Sequence, residues 1–186
     1  MRRNASTVQF AVLFVIFFVG IASAAAQTPP PSPSPEVRKW DIFAGDWNLS
    51  GVAQDAPSAT QYKVDWSLHE RWILGGFFMQ VDQVWKGNGQ ESHALEILSY
   101  DPVKKAHVSS GFSDDGSTWN LTASFQDNTV TEESVSKNPA GQPTTCHTTF
   151  EFSSDHNSLS GTQECEENGK RWTTFRVKGN RSKAGV

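Results

Sequence analysis

Lys63-Val64-Asp65-Trp66-Ser67-Leu68-His69 decides the fold. Apolar Val64, Trp66 and Leu68 alternate with polar neighbours at a period of two, which only an extended strand can sort onto one face. Trp119, Leu121, Ala123 and Phe125 alternate with Asn120, Thr122, Ser124 and Gln126 in the same way. Each set offers one apolar and one wetted face, as in an antiparallel sheet. Between such runs stand Asn88-Gly89, Asp115-Gly116, Asp127-Asn128 and Asn168-Gly169, hairpin signals because each turn wants a residue with positive φ. About ten strands fit between Asp46 and Val177, the spacing of a sandwich or a barrel. After Phe43 no helical period lasts beyond two turns. Before it, residues 36–43 can form one or two helical turns carrying Trp40 and Phe43 on one side, and Gly45-Asp46-Trp47 opens the first strand. The domain reads as all-β.

The two cysteines test that reading. A hairpin turning at Asp155-His156 sets Phe152 opposite Leu159 and Phe150 opposite Gly161. Extending the same register sets Cys146 opposite Cys165. Directly opposed residues of an antiparallel pair have the separation a disulfide tolerates. The chain-entropy estimate for this loop is about 3 kcal/mol of stabilisation.

An oxidising compartment is also expected. Arg2 and Arg3, an apolar run from Phe10 to Ile21, and Ala24-Ala25-Ala26 before Gln27 have the form of a signal peptide over residues 1–26. The run is shorter than the roughly 20 residues a membrane span needs, and neither cysteine lies near the cut to carry a lipid. The expected location is therefore periplasmic or secreted. Residues 27–37 follow as a linker, with five prolines between Pro29 and Pro35, a semi-rigid polyproline spacer. Residues 38–180 form the domain and residues 181–186 a short tail. The formal charge of −4 becomes more acidic once the two arginines leave with the signal. This argues against nucleic acid and against anionic membrane surfaces.

Reactive chemistry is sparse. No nucleophile elbow, zincin helix, phosphate loop or dinucleotide fingerprint is present, so no catalytic residue is assigned. The five histidines are His69, His93, His107, His147 and His156. No two stand two or four apart, and no metal site is expected. His69-Glu70 and Asp114-Asp115 are neighbours that a strand sends to opposite faces, and Asp114-Asp115-Gly116-Ser117 reads as a turn with carboxylates capping backbone N–H groups. His107 lies opposite Ala106, Val108 and Phe112, so it points inward if those three point outward. Three N-x-S/T sequons, at Asn48, Asn120 and Asn180, are set aside because the signal and linker look bacterial. Trp66, Leu68, His107, Trp119, Leu121 and Phe125 are the expected cavity-lining set. For the tryptophans this stands beside the plainer reading of core packing.

The order of motifs resembles the calycins, the superfamily of lipocalins and fatty-acid-binding proteins, through Gly45-Asp46-Trp47 as their G-x-W opening. More specific are residues 70–78, Tyr100-Asp101-Pro102 and residues 112–116. Together these resemble a family of exported bacterial lipocalin-like domains of unknown function. The resemblance implies an antiparallel up-and-down β-barrel with an internal cavity, and it implies no activity. Where that family commonly carries arginine after Leu74-Gly75-Gly76, this chain has Phe77. The pair Gly75-Gly76 reads as a bulge or sharp bend within a strand. The function expected is binding of a small apolar or amphipathic molecule inside the barrel, without a cofactor. The alternatives are a haem-binding or enzymatic barrel resembling nitrobindin, with one histidine as axial ligand, and an envelope module that binds another protein.

Overall fold

Ten strands follow one another antiparallel until the last meets the first. The computed structural model describes residues 31–137, 143–167 and 169–182. Residues 1–26, expected to be a signal peptide, residues 27–30 of the expected linker, Asn168 and residues 183–186 lie outside them. A 3₁₀ helix, Val37–Ile42, leads into β1 (Gly45–Ala53), β2 (Tyr62–Ile73), β3 (Phe78–Gly87), β4 (Gln90–Asp101) and β5 (Ala106–Ser113). The second half comprises β6 (Thr118–Gln126), β7 (Thr129–Lys137), β8 (Pro143–Phe152), β9 (Ser158–Glu167) and β10 (Lys170–Arg181). Each strand pairs with its chain neighbours, and β1 pairs β10 from Trp47 opposite Arg181 to Ala53 opposite Phe175, closing an up-and-down barrel. Closure removes the exposed edges that an open sheet would leave.

The turns carry the expected backbone. Asn88, Gly89, Gly116, Asp127 and Gly169 all have positive φ. Asp115 accepts from the Ser117 backbone N–H at 2.8 Å, and Asp114 accepts from that of His93 at 2.8 Å. Ten strands match the sequence reading, but Gly75-Gly76 corrects it. The pair does not bend a strand. It lies in the single helical turn Leu74–Gly76 joining β2 to β3, with φ of 71° and 86°, conformations that glycine adopts without a Cβ clash. The bulge that does occur falls on β10, between Thr173 and Phe175.

Cys146 and Cys165 are directly opposed on β8 and β9, as are Phe150 and Gly161, and Phe152 and Leu159. The cysteines are bonded, with Cα atoms 4.0 Å apart. At the hairpin tip the Asp155 carboxylate accepts from the Ser153 hydroxyl and the Asn157 N–H. Those donors hold its pKa down at about 2.

The 3₁₀ helix closes one end of the barrel. Trp40 is fully buried. Its indole N–H donates to the Ser99 carbonyl at 3.0 Å, and its ring meets Phe125 edge-on at 5.0 Å. Phe43 packs edge-on against Phe150 and Phe152 at 5.5 and 4.9 Å. Trp47, 1% exposed, donates to the Phe43 carbonyl at 2.6 Å and carries the Arg181 guanidinium over its ring. Buried aromatic rings of this size, with their N–H groups satisfied, supply much of the apolar stabilisation of a small domain. Elsewhere one strand makes room for its neighbour's ring. A Cβ on Gly111 of β5 would stand 1.9 Å from the Trp119 indole on β6, so the close approach requires a glycine.

Candidate ligand cavity

The strand parity that turns Val64, Trp66 and Leu68 inward carries one step further along β2 and turns Glu70 inward as well. The same happens on β4, where Glu96 sits between inward Ala94 and Leu98, and on β7, where Glu132 sits between inward Val130 and Ser134. The side chains do not fill the space they enclose. A cavity of about 470 Å³ runs from Trp40 and Phe43 at the helix-bearing end to Gln54, Asp55 and Tyr62 at the other.

Its wall has two characters. Trp66, Trp85 and Phe175 form an aromatic cluster with ring centroids 5.5 to 5.9 Å apart. Tyr62 stands beside them, its hydroxyl donating to Asp55 at 2.5 Å. Burial, then Asp55, pushes the Tyr62 pKa up to about 12. A polar belt continues the wall. Gln83 donates to Glu96 at 3.0 Å, and the Ser109 hydroxyl donates to its other oxygen. Gln163 donates to the Thr148 hydroxyl at 2.9 Å and accepts from the Thr174 hydroxyl at 2.8 Å.

The three glutamates differ in how well they are served. Burial raises the Glu96 carboxyl above its usual range, opposed by hydrogen bonds from Ser109, Trp119 and Gln83. Glu132 is pushed up to about 8, by burial and then by the charge of Glu96. Glu70, 5% exposed, is raised well above the carboxylate range by burial and then by Glu96 and Glu132, with Arg181 opposing. One of its oxygens, Oε2, has no hydrogen-bond partner among the described residues. An ordinary core disfavours such a group. Near neutral pH Glu132 thus keeps its proton, beside the Glu96 carboxyl with donors of its own and a Glu70 carboxyl whose ionised form burial disfavours. Among the described residues, no group of three or more His, Cys, Asp or Glu is placed to hold a metal ion.

Of the residues expected to line a cavity, Trp66, Leu68, Trp119 and Leu121 do so. His107 and Phe125 do not. Both have the inward parity, but at the level of the helical plug, where they pack against Trp40 while Trp40 itself faces the cavity. The His107 Nε2–H is engaged with the Glu36 carbonyl at 3.0 Å, and burial lowers the pKa of the ring. The other histidines are also absent from the lining. Sequence reasoning missed the glutamates. Glu70 is in phase with Trp66 and Leu68, and that parity is the signal by which it can be found.

No curated protein matches the chain. Among solved structures, the S-type phycobiliprotein lyase CPES from Guillardia theta is similar at a TM-score of 0.41 and 8% identity, over 80% of this chain and 93% of that one. Among the described residues no helix is long and apolar enough to cross a membrane. One family's sequence profile matches residues 32–181, which include the 3₁₀ helix and all ten strands. The chain belongs to that family, described as protein of unknown function, DUF1579.

Proposed function

We propose that this protein binds a small amphipathic molecule inside its barrel, outside the cytoplasm. The observation that carries the reading is the cavity of about 470 Å³, walled on one part by Trp66, Trp85 and Phe175 and on another by polar side chains. A closed barrel positions such a wall rigidly, and a concave, largely apolar site with a few convergent polar groups is the usual form of a small-molecule pocket. The Cys146–Cys165 bond and the signal-like residues 1–26 support an exported protein. The haem alternative draws no support from the cavity, because none of the five histidines reaches the lining. Displacement of a lipophilic fluorescent dye from the purified protein, with native mass spectrometry of material from its own host, tests the reading. A stoichiometric, displaceable dye or a co-purifying small molecule is expected. A ligand-free interior filled by its own side chains, or a dye that does not bind, would overturn it.

A further inference from the structure

The cavity's charged residues all have one sign. Asp55, Glu70, Glu96 and Glu132 line it, and among the described residues no lysine, arginine or histidine does. Gln83 and Ser109 serve Glu96, and the Gln163 amide serves Thr148, so none of these is seen donating to Glu70. Glu70 therefore presents an oxygen that nothing in the wall satisfies. A partner that brings hydrogen-bond donors and positive charge would satisfy that oxygen in its ionised form and offset three carboxyls crowded into low dielectric. The neighbouring aromatic faces suit the same partner, because indole rings attract cations.

We propose that the bound molecule is an organic cation, with a protonated nitrogen among Glu70, Glu96 and Glu132 and an apolar body against Trp66, Trp85 and Phe175. This rests on the cavity being a ligand site. An anionic ligand would meet carboxyls and no cationic side chain along the described lining, and a neutral hydrocarbon would leave Glu70 unsatisfied. Glu70 on β2 is faced by Glu96 on β4, Glu132 on β7 and, from β10, Arg181. Glu132 is faced by Glu96. An ammonium group arriving at pH 7 favours the ionised form of Glu132, so the proton on that carboxyl passes to solvent as the complex forms.

Three probes with the same chain distinguish the possibilities: n-decylammonium, decanoate and decanol, each titrated below its micellar range. Tryptophan fluorescence reads binding, and calorimetry at pH 7 in two buffers of different protonation enthalpy reads proton release. Decylammonium is expected to bind at least about tenfold more tightly than the other two and to release protons, whereas decanol releases none. The Glu70→Gln, Glu132→Gln double variant should lose that preference and the proton release while still binding decanol, which shows that the barrel is intact. Decanol or decanoate binding as tightly as decylammonium, or a double variant that keeps the preference, would overturn the cation and leave the cavity a binding site. If none of the three binds, the ligand-binding reading falls, and this inference with it.

Discussion

Replacing Glu132 with glutamine should stabilise the barrel near neutral pH and do little in mild acid. In the unfolded chain this carboxyl loses its proton around its ordinary pKa of 4.5, whereas in the barrel it keeps the proton up to about 8. Below pH 4.5 both states hold the proton and there is no penalty. Between those values folding requires a proton that the unfolded chain has released, so stability falls by about 1.4 kcal/mol per pH unit. At pH 7 this comes to about 3 kcal/mol. The figure is a ceiling, because Glu132 keeps part of its surface accessible within the cavity. Glutamine has nearly the same shape and no titrating group. Glu132 raises Glu70 only when it is itself ionised, so up to about pH 7 the difference between the two proteins chiefly reports Glu132. Urea unfolding followed by tryptophan fluorescence from pH 5 to 8 measures it. The variant's advantage should grow steadily across that range and level off near its top. Parallel loss of stability in both proteins would refute the reasoning.

Two further outcomes are expected. Reducing the Cys146–Cys165 bond, which closes a loop of 19 residues in separation, should lower stability by about 3 kcal/mol; an unchanged urea midpoint in the reduced protein would count against it. Gly111→Ala should cost about 1–3 kcal/mol and alter the near-ultraviolet dichroism, because the new Cβ would stand 1.9 Å from the Trp119 ring. A variant with native dichroism and midpoint would refute the close packing of this glycine against the indole.

Much of the fold was legible because strand parity and turn chemistry are local. The alternation around Trp66 assigned β2's inner face correctly, and positive-φ residues marked the hairpins. The cysteines could be paired because a register, once started at Phe152 and Leu159, propagates rigidly along both strands. The site was less legible. Along β4, Ala94, Leu95, Ile97 and Leu98 put apolar groups on both faces, so nothing local turned Glu96 inward. On β7 polarity points the wrong way, since Ser134 is buried while Val135 is 46% exposed. That reversal hid which of Glu132 and Glu133 enters the barrel. His107 had the right parity at the wrong height.

Sequence alone determined the alternating strands, the turns between them, the cysteine partnership and the aromatic supply of the core, because each depends on residues near in the chain or on one shared register. Tertiary structure alone decided that β1 meets β10, that Trp40 and Phe43 stop one end, and that three glutamates from β2, β4 and β7 share a single hollow. Those residues lie far apart along the chain, and only the curvature of a closed sheet brings them close enough to perturb one another's protons.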